Sequence, residues 1–341
     1  MKSWILGGAC LLLASRASPA KAPEPPTPLF ASDTPIHITI QGPLAQIASS
    51  RDAVARPGTL TADGIALPIT LSGRGITRLQ QDVCDFPPLR VDFRRKAPPG
   101  SLFAKQGHLK LVTHCKRSGD FQQKVLLEYA AYRIYNLLTP QSFRVRLANI
   151  DYVNADGRPY AAGKVGFFIE DIDDVAKRNG LVKTSLVGLI PVAQLDPASA
   201  ARFAVFEDLI SNYDWSMRAG PGSQPCCHNA RLLAASRSPG VPVIPVPYDF
   251  DFSGLVDAPY STPPEGVRIR SVRDRLYRGY CVHMPQAKAV AAQLAARQAE
   301  VTGVLAAVPG MDAKTQARGA AYLNGFFTDL AAGKTFKNCI G

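Results

Sequence analysis

Histidine is scarce in this chain of 341 residues, and the five present (His37, His108, His114, His228 and His283) include no His-Glu-x-x-His spacing, which excludes a zincin-type metal site. No Gly-x-Ser-x-Gly segment occurs, so a serine-hydrolase elbow has no support. None of the seven cysteines forms a Cys-x-x-Cys pair. The cluster Cys226-Cys227-His228 therefore lacks the spacing that leaves room for one zinc ion. Neither the 27 glycines nor the 28 prolines follow a short period, and no internal repeat is present, which excludes collagen and solenoids. Past the N-terminus no apolar run reaches the ~18 residues that a membrane-spanning helix needs. Charged residues make up only 19% and hydrophobic ones 46%, enough apolar side chain to bury a core and to exclude a disordered chain.

What is there begins with MKSWILGGACLLLASRASPA. Lys2, an apolar run from Trp4 to Ala14 and small residues at Ser18 and Ala20 predict a cleaved secretory signal over residues 1–20. The 39 Lys plus Arg against 27 Asp plus Glu give +12, and losing Lys2 and Arg16 lowers this by two to +10. Six cysteines remain, and an exported chain, secreted or periplasmic, is expected to join them in up to three disulfides. Cys84 and Cys115 sit at neighbouring predicted strands and are expected to pair. The vicinal Cys226 and Cys227 are expected to reach Cys281 or Cys339 rather than each other.

KAPEPPTP opens a Pro-rich linker over residues 21–32. IHITI, ALPITL and LRVDF alternate in the manner of half-buried strands, and LKLVTH at residues 109–114 reads as another. FQQKVLLEYAAYRIYNLL carries apolar residues at three- and four-residue steps, predicting an amphipathic helix capped at Asp120 and ended before Pro140. FRVRLANIDYV and AGKVGFFIE form a hairpin around Asn154 to Gly157, DIDDVAKRNG a short helix stopped at Gly180, and PASAARFAVFEDLISNYDW a helix capped near Asp196 that ends in a polar loop. VPVIPVPYDFDF is strand-like, and residues from Met284 to about Ala332 read as helical.

Chemistry concentrates in SNYDWS, centred on Asp214, and PYDFDFSG, holding Asp249 and Asp251, with Asn229 between them. An Asp to accept a hydroxyl proton, with Asn and Asp oxygens to hold a cation, is the residue set that phosphoryl transfer asks for. As bare residues these also suit turns and helix caps.

The order of the segments resembles the CotH (spore-coat protein H) kinase family. SGRGITR at Ser72 to Arg78 is similar to its Gly-Arg-Gly segment, LRVDF to the strand that follows, and LKLVTHCKRSGDFQQKVLLEYAAYRIYN to its strand, loop and helix. FRVRLANIDYVNADGRPYAAGKVGFFIEDID is similar to its hairpin and hinge, NYDW to its Asn-Trp-Asp-Arg, and PYDFD to its Pro-Trp-Asp-Tyr-Asp. The resemblance covers about residues 70 to 255 and departs at Trp215, where the family has Arg. It implies an α+β, bilobal protein-kinase-like fold: a β-rich N-terminal lobe over residues 33–172 with one long helix, and a mainly helical C-terminal lobe over 173–341. It further implies ATP and Mg2+ as cofactors, with Asp214 as catalytic base and Asn229, Asp249 and Asp251 as metal ligands. Lys110 or Arg90 would contact phosphates, Glu128 would orient the cation, and Glu170 would stand at the hinge. The expected activity is transfer to a protein hydroxyl, and the alternative is a catalytically inactive binding or scaffold protein that keeps the fold.

Arg268, Arg270, Arg273, Arg275 and Arg278 follow the acidic cluster and favour an anionic partner, an acidic protein or envelope component. Few aromatics interleave with them, which argues against nucleic acid.

Overall fold

The computed structural model describes residues 22–341 except 185, 187, 223, 225 and 239. The expected signal peptide lies outside the described residues. Seven strands come first: β1 (Ile36–Gly42), β2 (Arg56–Ala62), β3 (Ile65–Gly73), β4 (Leu89–Phe93), β5 (His108–Val112), β6 (Val145–Asn154) and β7 (Pro159–Ile169). A short helix α1 (Leu44–Ser50) follows β1, and the long helix α2 (Gly119–Leu138) separates β5 from β6. The C-terminal half adds α3 (Ile172–Arg178), β8 (Val182–Thr184), α4 (Pro197–Ile210), β9 (Ala230–Ala234), β10 (Ile244–Pro247), α5 (Met284–Ala296), α6 (Gln298–Gly303) and α7 (Ala313–Ala331).

Alternation builds the first sheet. In β1, Ile36, Ile38 and Ile40 are buried while His37 points to solvent, and Leu67, Ile69 and Leu71 do the same in β3. The strands run in the order β1-β2-β3-β4-β5-β7-β6, and β1 then pairs in parallel with β6, Ile38 opposite Ile150, closing a barrel. Leu60, Leu71, Leu109, Leu111, Ile150 and Phe168 are among the residues that fill its interior. Gly166 in β7 is required where β5 crosses close by, since a Cβ there would meet the Val112 carbonyl oxygen at 2.6 Å.

α2 begins after Ser118, two residues before the expected cap, with Asp120 in its first turn, and ends at Leu138 as Pro140 requires. Its Leu126, Ala130, Ala131 and Ile134 are buried in a second apolar cluster that runs on through α4, α5, α7, β9 and β10. The expected cap of α4 holds: the Asp196 side chain accepts the Ser199 N–H at 2.8 Å.

This is not the bilobal kinase-like architecture expected from the sequence. The first sheet closes on itself instead of standing as an open lobe, and a continuous apolar cluster joins α2 to the C-terminal half. Nor is that half mainly helical. From 211 to 280 the described residues form no helix, only β9, β10 and loops, with β8 completing a small antiparallel sheet in the order β10-β9-β8. Pro242, Pro245, Pro247, Pro259, Pro263 and Pro264 fall in that span, each removing a donor that a helix would need.

Three disulfides are present. Cys84–Cys115 pairs as expected. The expectation for the others is corrected: Cys226 bonds Cys227, and Cys281 bonds Cys339, because the bridge between Tyr280 and Ile340 already lays those two segments side by side. Among the described residues no helix is long and apolar enough to cross a membrane. Such a disulfide set fits an extracellular or periplasmic compartment.

Candidate functional site

Three segments far apart in the chain meet around a cavity of about 430 Å3: residues 74–78, residues 214 and 227–231, and residues 248–252. Each is placed by local structure. α4 ends at Ser211, which takes the left-handed conformation (φ 51°), and the chain turns so that the Asn212 side chain accepts the Asp214 N–H at 3.2 Å. A β-bridge between Ser216 and His228 then brings the start of β9 back against Asp214. The antiparallel pairing of β9 with β10 sets Pro247 opposite Ala230, so Asn229 and Tyr248 come together, the Tyr248 N–H donating to the Asn229 carbonyl at 3.1 Å. Asn229 (φ 47°) and Asp249 (φ 69°) both adopt the left-handed region, which Asn and Asp tolerate better than other side chains. α2 fixes the far side: the Asp249 N–H donates to Tyr132 Oη at 2.8 Å, and Glu128 stands one turn earlier.

The side chains form three groups. In the first, His228 Nε2 lies 2.7 Å from Asp214 Oδ1, and Asn229 Nδ2 donates to Asp214 Oδ2 at 3.0 Å and to its carbonyl at 2.7 Å. The hydrogen bond with Asp214 raises the His228 pKa above its ordinary value. In the second, the buried Arg78 guanidinium meets three carboxylates: Nη1 to Glu128 Oε2 at 3.1 Å, Nη2 to Asp249 Oδ1 at 3.2 Å and Nε to Asp251 Oδ2 at 3.1 Å. Burial pushes Glu128 and Asp251 upward. Burial also acts on Asp249, but Arg78, Arg74, Lys110 and His228 outweigh it and hold that carboxyl low. Tyr260 Oη donates to Asp251 Oδ2 at 2.9 Å.

The third group is cationic. Lys110 Nζ lies 4.0 Å from the Tyr248 ring centre and the Arg231 guanidinium 4.8 Å from it, and Arg74 borders the same cavity. Among the described residues none of these three makes an ion pair. Burial, reinforced by Arg74 and Arg231, pushes the Lys110 ammonium down to about 7.

The expected residues are thus brought together in part. Asp214 and Asn229 meet, Glu128, Asp249 and Asp251 meet, and Lys110 stands beside Tyr248. Glu128 pairs with Arg78, and Lys124, one turn earlier on α2, donates to the carbonyls of Val256 and Asp257. Arg90 is half exposed and pairs with Asp92, away from the cavity lining. Glu170 is buried against Arg178, at 2.9 Å, and accepts the Arg144 N–H. Of the five arginines expected to face an anionic partner, three are used internally. Arg273 pairs with Asp257, Arg275 donates to the Tyr322 carbonyl, and Arg278 donates to the Tyr213 carbonyl; Arg268 and Arg270 are exposed.

Sequence reasoning missed His228, Arg78, Arg74 and Arg231. Arg74 and Arg78 belong to SGRGITR, whose value as a signal lay in its side chains as much as in its glycines.

Glu128, Asp249 and Asp251 offer oxygens within 4.8 Å of one another, as a hard cation prefers, but each oxygen set already faces Arg78. Asn229, the other expected ligand, turns its amide nitrogen to Asp214. The arrangement does not fit a resident magnesium ion while Arg78 holds its place. No family model matches the chain, and no curated protein matches it.

Proposed function

We propose that the cavity is a phosphoryl-transfer site of an exported protein, with a nucleoside triphosphate as donor and a protein hydroxyl as acceptor. The observation that carries this reading is the meeting, at one cavity, of a clamped carboxylate with Arg74 and Arg231, neither of which makes an ion pair among the described residues, with Lys110 beside the cavity residue Tyr248. The segments that resemble the CotH kinases, SGRGITR, NYDW and PYDFD, are the ones that line it, which supports the same reading.

In this reading Arg74, Arg231 and Lys110 neutralise the donor's phosphates, as positioning and charge neutralisation are most of what the reaction requires. Asp214 accepts the acceptor's hydroxyl proton. That oxygen forms a bond to the terminal phosphorus while the bridging P–O bond breaks, its electron pair leaving with the diphosphate. His228 and Asn229 hold the carboxylate in place. No step passes through a metal.

Titration calorimetry with ATP, under oxidising conditions, tests the reading. Binding by the wild type, its loss in Arg74→Ala/Arg231→Ala, and loss of turnover with binding kept in Asp214→Asn are expected. Absence of ATP binding by the folded wild type overturns it. A second reading, a binding protein without turnover, is favoured by one observation: both Asp214 carboxylate oxygens already have partners, His228 and Asn229. ATP binding without turnover by the wild type would select it.

A further inference from the structure

The Glu128, Asp249 and Asp251 cluster is the one group of carboxylates among the described residues whose oxygens converge as metal ligands do. What it surrounds is Arg78. Three different nitrogens of one guanidinium each reach a different carboxylate, at 3.1, 3.2 and 3.1 Å. Arg78, Glu128 and Asp251 side chains are only 7%, 2% and 8% exposed, and Asp249, on the cavity side, is 25% exposed. A magnesium ion demands near-octahedral oxygens, and that geometry is not met where a planar fork fills the space between the ligands.

The position of the guanidinium is also built into the backbone. Arg78 lies in a single helical turn, Thr77–Leu79, that follows Gly73 by a few residues. A Cβ at Gly73 would meet the Asp52 carbonyl oxygen at 2.8 Å and Leu79 at 2.9 Å, so the segment is seated closely on its neighbours. The opposing carboxylates come from α2 and from the turn after β10, the latter tied to α2 by the Asp249 to Tyr132 hydrogen bond. Carboxylates gathered this closely, without a cation among them, would repel strongly in a buried setting.

We propose that Arg78 is the resident cation of this cluster, standing where a divalent metal would stand in a site of the same acids, and that removing its guanidinium turns the cluster into a divalent-cation site. The proposal holds whether or not the cavity transfers phosphoryl groups, because it concerns the acids and Arg78 alone.

Mn2+ added alone to the full folded chain, followed by loss of its free-ion EPR signal, is the test. Wild type and Arg78→Lys are expected to bind no Mn2+ at submillimolar concentration. Arg78→Met is expected to bind one ion per chain, about tenfold or more tighter than wild type, and to lose it again in Arg78→Met/Asp249→Asn/Asp251→Asn. Submillimolar binding by the wild type that disappears in Asp249→Asn/Asp251→Asn overturns the proposal, and so does a folded Arg78→Met that binds nothing. If Arg78→Met does not fold in buffer, refolding it with and without Mn2+ decides: rescue by the ion supports the proposal, and no rescue overturns it.

Discussion

His228 and Asp214 are joined at 2.7 Å across a β-bridge, so that the acid chosen as proton acceptor and the one histidine on the cavity wall form a single unit. The pairing explains how a histidine with no partner at motif spacing comes to matter: its partner lies fourteen residues upstream, on the other side of a loop.

Because Asp214 raises the folded-state pKa of His228, the pair stabilises the protein fully below the unfolded value of about 6.5, and that contribution is lost as pH rises through the folded value. His228→Gln is therefore expected to lower the melting temperature more at pH 5.5 than at pH 9. Equal losses at both would show that the pair carries no charge.

Replacing Asp214 by Asn leaves a side chain of the same shape between His228 and Asn229. Turnover of ATP is expected to fall by about 10²–10⁴-fold while ATP affinity changes little, since Arg74, Arg231 and Lys110 are untouched. Parallel calorimetry and ADP-release assays in the presence of a protein acceptor separate the two effects.

Lys110 gives the opposite pH behaviour. Burial, with Arg74 and Arg231 nearby, pushes its pKa down to about 7, so the cost of burying the ammonium is fully present below pH 7 and is relieved as pH rises toward the unfolded value of about 10.4. Lys110→Met is expected to raise the melting temperature below pH 7, with the gain shrinking toward pH 10. A bound polyphosphate would restore the charge, so ATP binding near pH 8 should take up a proton, seen as a dependence of the binding heat on buffer ionisation.

Opening the Cys84–Cys115 bond, which closes a loop of sequence separation 31, is expected to cost roughly 3–4 kcal/mol by chain entropy. Denaturant melts of Cys84→Ser/Cys115→Ser against wild type measure it. The loss should be the same in the presence of ATP if the bond supports the barrel and not the cavity.

Strands were legible where one face is buried, because Ile36, Ile38 and Ile40 alternate with polar neighbours. The hairpin after α2 and the helices at both ends of the C-terminal half were legible for similar local reasons. Closure of the barrel was not, since pairing of Ile38 with Ile150 depends on no local pattern. Between α4 and α5 the residues themselves read as strand-like over VPVIPVPYDFDF, where β10 stands, and the expectation of a mainly helical half came from the resemblance. In the site, the acids were visible through a resemblance of segments, whereas Arg78 was hidden in a segment read for its glycines. Its signal was electrostatic: several acids expected at one place require a cation, and the cation expected there was Mg2+ where the structure has Arg78.

The parallel pairing of β1 with β6 also sets an order of events. β1 leaves the exit channel first, yet one of its two edges has no partner until residue 154 has been made, with α2 and four strands in between. Until then Ile36 to Gly42 presents open backbone donors and acceptors, the condition under which chains pair with the wrong neighbour. A barrel whose first strand is also its closing stave is slow to complete and depends on being shielded while it waits. Truncation anywhere before residue 154 therefore removes a seam rather than an appendage.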